Sequence, residues 1–264
     1  MKKTAKHSGF SLVELSIVLV ILGLLTGGIL GAQALIRAAE LRSVSTEHSR
    51  YMTAVQSFRD KYFAIPGDMT NATAFWGAAD PTPSTCRTTA STSAATCNGD
   101  GNGLLSTVAA GSNEIYRFWQ HLANAGLIEG SYNGVSGGSV NLFTSVRDNS
   151  PTGKMNNTLW FVFNYGTFSG NNQYFDGIYS NVFKIGQARA NEHPFGGFLL
   201  AEEAWNIDQK MDDGMPATGR IRLYVASGLS ECTDTVANNP ATISANYRLQ
   251  SSLRSCSIVF PQAF

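Results

Sequence analysis

The sequence predicts an α+β protein: a long N-terminal helix, membrane-spanning in its first half, packed on a globular head with an antiparallel sheet. Three observations predict it. Residues 10–36 read FSLVELSIVLVILGLLTGGILGAQALI, and Glu14 is the one ionisable side chain among them. Residues 41–62 then place apolar side chains at every third or fourth position, the period of a helix. After Pro66 the chain becomes rich in Gly, Ser, Thr and Asn, with short runs of branched and aromatic residues between them, the pattern of strands joined by loops.

The first nine residues, MKKTAKHSG, are short, basic and polar. The apolar run that follows is long enough to cross a bilayer as a helix, which takes about 20 residues. Lysines ahead of the span keep the N-terminus in the cytoplasm and send the remainder outward. The chain holds 19 Lys+Arg and 19 Asp+Glu, and losing Lys2, Lys3 and Lys6 with the first nine residues leaves 16 basic against 19 acidic side chains. Nothing in this balance indicates a nucleic-acid partner. Charged residues are only 14% of the chain, which suits an exported, loop-rich protein.

Three readings of the N-terminus compete. It is a plain anchor, or a secretory signal peptide cleaved at Ala32-Gln33-Ala34 that releases a soluble binding protein, or a segment cut between Gly9 and Phe10. Glu14 separates them, because a carboxylate deep in lipid costs about 2.5–3.5 kcal/mol and by default marks function. Cutting after Gly9 creates an α-amino group four residues before Glu14. The ammonium of one subunit then neutralises the carboxylate of a neighbour inside an apolar assembly, and proteolysis becomes the assembly switch.

Gly-Phe-Ser-Leu-Val-Glu-Leu followed by a long apolar run resembles the processing signature of type IV prepilins and type II secretion pseudopilins. The resemblance implies a type IV pilin-like lollipop fold, cleavage between Gly9 and Phe10 by a prepilin peptidase, and methylation of Phe10. It places the family's glutamate on Glu14. It implies a leader at 1–9, a helix at 10–62 whose residues 10–36 form the transmembrane segment and filament core, and a head at 63–264. The implied partners are other pilin subunits, an inner-membrane assembly platform and its ATPase. The implied location is the bacterial inner membrane as a single-pass precursor with a periplasmic head, then a filament in the periplasm or at the cell surface. A pilus subunit, major or minor, is the first expectation and a type II secretion pseudopilin the second.

Within the span, Gly23, Gly27 and Gly31 share one helix face, a small-residue ladder that lets membrane helices approach closely. Type IV pilins often carry a proline in this segment; here none precedes Pro66, and Gly27, Gly28 and Gly31 take the place of the flexible point. Leu41, Val44, His48, Tyr51, Val55, Phe58 and Tyr62 form the outer stripe, with Glu47, Arg50, Arg59 and Asp60 on other faces and Pro66-Gly67 as the stop. In the head, 114–128 reads as an amphipathic helix with Gly126 at or near its end, and 205–211 as a second helix. Strands are expected at 159–165, 195–200, 221–226 and 257–260. The segments Ile65-Pro66-Gly67-Asp68, Trp119-Gln120-His121-Leu122 and Ile207-Asp208-Gln209-Lys210 resemble those of large pilin-like proteins.

Four cysteines, Cys86, Cys97, Cys232 and Cys256, lie in a chain read as exported. Cys86–Cys97 and Cys232–Cys256 is the simplest pairing, while three connectivities and free thiols stay open. Asn98, Asp100 and Asn102 alternate oxygen side chains before Gly103, like the first half of a calcium loop, and Glu114 is placed to reach back as a distal ligand. A Gly-rich turn is the competing reading, and no cofactor is required. Asp208, Asp212 and Asp213 are a second acidic group, read as the polar end of a helix. Gly134-Val135-Ser136-Gly137-Gly138 matches the serine-hydrolase spacing but lacks the strand and helix that the chemistry needs. With His7, His48, His121 and His193 scattered, an enzyme is not expected.

Overall fold

The computed structural model describes residues 11–91, 93–106, 114–138, 143–171, 173–224, 231–234 and 243–264. Helix α1 runs Leu12–Tyr62. The chain divides into two compact units, Met1–Leu41 and Arg42–Phe264, so the division falls inside α1. The described part of the first unit is helix alone. Its apolar side chains have no neighbours to cover them, and Leu24 is 73% exposed.

In the second unit α1 becomes a core element. Val44, Tyr51, Val55 and Phe58 are buried, as the three-and-four spacing predicts. Short helices α2 (Ala72–Trp76) and α3 (Pro83–Cys86) follow, then α4 (Glu114–Asn124). The strands are β1 (Thr158–Asn164), β2 (Thr167–Phe168), β3 (Gly177–Ile178) and β4 (Asn181–Gln187), then, after α5 (Ala201–Met211), β5 (Arg222–Leu223) and β6 (Ile258–Phe260). The main sheet has the order β1-β4-β6-β5 with every pairing antiparallel; β2 and β3 form a separate ribbon.

Strand alternation sorts the side chains onto two faces. Trp160, Phe183 and Phe260 meet α1: His48 stacks on Phe260 at 4.0 Å, and Tyr51 lies 5.3 Å from Trp160 and 5.1 Å from Trp119 of α4. Such edge and stacked pairs add about 0.5–1.5 kcal/mol each beyond their burial. Both faces of α4 are buried, the apolar one by this aromatic core and the polar one by the loops at 67–103. Helix α4 stops at Asn124, four residues short of the expected Ile128, because Gly126 adopts φ +72° and Leu127 N–H closes onto the Leu122 carbonyl.

The sheet departs from expectation at two places. Strand β4 is central yet absent from the strands that the sequence suggests, because Lys184 interrupts its apolar run. Residues 195–200, expected as a strand, make only isolated bridges, Gly196 to Gln187 and Leu199 to Cys256. Glu47, placed by its polarity away from the apolar stripe, is instead 7% exposed. Its carboxylate accepts from Trp160 Nε1–H and from Lys154 N–H, both at 2.9 Å.

Lys184 is fully buried on the other face of the sheet. Its register neighbours are Phe161 and Val259, and Tyr174, Tyr179 and Tyr224 surround them. The Nζ atom lies 3.6 Å from the Tyr224 ring centroid and donates to Tyr174 Oη at 3.2 Å. Burial lowers the Lys184 pKa well below its ordinary 10.5. The unfolded chain then binds the extra proton between the folded value and 10.5, so this group adds stability as pH rises through that window and removes it as pH falls. Lys184→Met is expected to raise stability at neutral pH by about 1–2 kcal/mol, since buried charge often stabilises less than well-packed apolar replacements. The variant is also expected to lose that part of the pH slope. Denaturant unfolding at several pH values, variant against wild type, checks both.

Candidate functional site

Gly9 and Phe10 lie outside the described residues. The helix that follows them opens with Glu14 in its first turn, and the carboxylate accepts from Ser11 N–H at 2.9 Å. This is an N-terminal cap made by the side chain that an apolar span would otherwise exclude. The helix is long and apolar enough to cross a membrane, and none of its apolar window is buried in the chain. A Cβ placed on Gly23, Gly27 or Gly31 would meet nothing within 4 Å. Packing inside this chain therefore does not explain these glycines, whose close-approach face is open to another helix.

Cys86 is bonded to Cys97 and Cys232 to Cys256. The first bond closes a loop that sits on the polar face of α4. Arg117 donates to the Cys86 and Thr89 carbonyls at 3.0 and 2.7 Å, and Gln120 donates to the Ala95 carbonyl at 3.2 Å. His121 Nδ1 accepts from Gly67 N–H at 2.9 Å, which places the ring proton on Nε2, 3.0 Å from Thr96 Oγ1. Burial, helped by the Arg117 charge, holds the His121 pKa down at about 3, so the ring is neutral and keeps this tautomer. Gly67 has φ +85°, and a Cβ there would run into the backbone of Glu114 and Phe118. Ile65-Pro66-Gly67-Asp68 is thus a turn that lays the chain directly on α4.

Asp68, which the sequence reading did not count as a ligand, stands beside Asp100 and Glu114, with one oxygen of each within 4.8 Å of the others. Asp68 accepts from the N–H groups of Gly101, Asn102 and Gly103 at 2.7–3.1 Å. Glu114 accepts from Asp100 N–H at 3.1 Å and Ser106 N–H at 3.2 Å. Burial pushes the Glu114 carboxyl up to about 7, against those two donors, and burial raises Asp68 as well. Asn98 is turned to Thr73 N–H at 2.8 Å, and Asn102 Oδ1 accepts from Leu104 N–H at 2.7 Å. Three carboxylates suit a hard cation such as calcium, and Asp68, Asp100 and Glu114 would hold it. Ala109, at the twelfth position counted from Asn98 where a calcium loop carries a bidentate acid, lies outside the described residues.

Asp208, Asp212 and Asp213 also come together. Asp208 accepts from Tyr247 Oη–H at 2.7 Å and Gly214 N–H at 3.2 Å, and Asp212 accepts from the N–H groups of Arg220 and Ile221. Burial raises the Asp208 pKa to about 7. Asp208 ties the end of α5 to Tyr247 of the C-terminal segment, while Asp212 and Asp213 bond within the turn that follows α5. Gly134–Gly138 lies in a loop, with no strand leading in and no helix leading out among the described residues.

No curated protein and no solved structure matches the chain. Residues 4–30 match the family model described as a prokaryotic N-terminal methylation motif. That motif belongs to precursors of the structural, pilin type, cut by a prepilin peptidase and polymerised with pilins, and an apolar N-terminal helix fits an inner-membrane-anchored precursor. With a single acid capping the first turn of that helix, this chain carries a prepilin-type N-terminal cleavage and methylation signal.

Proposed function

We propose that the chain is a structural subunit of a type IV pilus-like filament, cut between Gly9 and Phe10, methylated on Phe10 and assembled through its N-terminal helix. The observation that carries this reading is the methylation motif at residues 4–30, continuing into an apolar helix with Glu14 as its one acid. Before cleavage the Glu14 carboxylate has only its own first turn to answer it. After cleavage an ammonium four residues away supplies the missing positive charge, and the neighbour that brings it is another subunit. The helix faces carrying Gly23, Gly27 and Gly31 then pack against adjoining helices. An inner-membrane platform and its ATPase extract the subunit from the membrane. A calcium ion on Asp68, Asp100 and Glu114 would brace the head without taking part in assembly.

The test is the N-terminal residue and mass of the mature protein from isolated envelopes. A chain that starts at Phe10 is expected. A chain that starts at Leu35 would mean a soluble protein released after Ala34, and the filament reading would fall. Glu14→Ala is expected to leave cleavage intact and abolish incorporation into sheared filaments; undiminished incorporation would remove the role given to this carboxylate.

A further inference from the structure

One cleft in the head has a lining that assembly through the helix does not use. It encloses about 540 Å³, within the range of about 300–1,000 Å³ that small-molecule sites occupy. Arg147, Lys154 and Arg189 line it, and among the described residues no Asp or Glu does. Among the described residues none of the three makes an ion pair. Three different segments bring them there, and hydrogen bonds hold each segment in place. Arg147 sits in a turn closed by Ser150 N–H on the Val146 carbonyl at 2.9 Å and by Asn149 Oδ1 on Val146 N–H at 2.8 Å. Lys154 belongs to a loop in which Gly153 N–H bonds the Thr158 carbonyl at 3.0 Å and Thr158 Oγ1 bonds the Met155 carbonyl at 2.7 Å. Arg189 follows β4, where Ala188 N–H bonds the Asn157 carbonyl at 2.9 Å, and its guanidinium lies 4.4 Å from the Phe195 ring centroid.

The carboxylate bonded beneath this loop is Glu47, whose two oxygens are taken by Trp160 Nε1–H and Lys154 N–H. Counting its charge still leaves the cleft with an excess of two positive charges. Asp148 and Glu192 lie on the same segments but do not line it. Such an arrangement selects an oxyanion, which guanidinium and ammonium groups bind with charge-assisted hydrogen bonds. The volume far exceeds one oxyanion, and the rest of the wall offers hydroxyl and amide groups from Ser145, Thr152, Asn156 and Asn157. Those groups complement a polyhydroxylated carrier. Among the described residues no aromatic ring lines the cleft for a neutral sugar to stack on, so charge has to carry the affinity.

We propose that this cleft binds an acidic saccharide, a sugar carrying a carboxylate or a phosphate. The site belongs to the head alone and does not depend on the filament reading. The test is calorimetric titration of the mature full-length chain in detergent micelles with glucuronate, glucose 6-phosphate, glucose and inorganic phosphate. Saturable binding of at least one sugar acid is expected, with glucose and inorganic phosphate each weaker by about tenfold or more. Arg147→Gln with Arg189→Gln is expected to weaken the sugar acid by about tenfold or more. In the wild-type protein, binding should fall as salt rises to about 0.15 M, a readout that needs no variant. Which sugar acid binds tells carboxylate from phosphate recognition. No saturable binding of either acid, equal binding of glucose or phosphate, an unaffected double variant, or salt-independent affinity would each overturn the proposal.

Discussion

Glu47→Ala is expected to destabilise the head by about 2–5 kcal/mol, because it strands the buried Trp160 indole N–H and the part-buried Lys154 N–H at once. The carboxylate leaves α1 and accepts from the Trp160 indole and the Lys154 amide, each at 2.9 Å. Trp160 is fully buried and Glu47 nearly so, so the indole N–H is left without an acceptor, whereas the Lys154 N–H is only part-buried. Each unsatisfied donor costs about 1–3 kcal/mol, against a total stability of about 5–15 kcal/mol for an ordinary domain. Glu47→Gln keeps one acceptor oxygen and is expected to cost roughly half as much. Denaturant unfolding followed by tryptophan fluorescence measures both. An alanine variant as stable as wild type would mean that this contact does not join α1 to the sheet.

Removing the second disulfide, by Cys232→Ser with Cys256→Ser, is expected to cost about 3 kcal/mol, or a fall in Tm of about 6–12 °C. Its cysteines are 24 residues apart, against 11 for Cys86 and Cys97, so loop closure alone predicts a slightly larger loss than at the first bond. Position adds to the difference. Cys256 exchanges hydrogen bonds with Leu199 and lies two residues before β6, which is inserted between β4 and β5. The last strand in sequence is thus an inner strand of the sheet, and the bond keeps the chain that delivers it close to its place. Calorimetry of the two double-serine variants side by side gives the ranking. Equal or reversed losses would show that strand insertion does not depend on this bond.

Local periodicity made α1 legible. The apolar run after Phe10 with its lone Glu14 is long enough to span a bilayer, and the buried stripe of Val44, Tyr51, Val55 and Phe58 follows from a helix placing every third or fourth residue on one side. The methylation motif was legible for a related reason, since it occupies a short contiguous segment, residues 4–30. Three of the expected strand regions contain observed strands, at 158–164, 222–223 and 258–260, because branched and aromatic runs between loops carry that signal. What sequence could not supply was the fate of polar groups. Lys184 interrupts the apolar run of a central strand, yet it is buried there against Tyr174 and Tyr224, which other segments bring to it. Glu47 looked like a solvent-facing neighbour of the stripe, yet its partner Trp160 lies 113 residues on. Asp68 joins Asp100 and Glu114, and Arg147, Lys154 and Arg189 meet around one cleft, only once distant segments are folded together. Apolar side chains announce their burial through spacing, whereas a polar side chain is buried when a partner is delivered to it, and that delivery is a property of the packed chain.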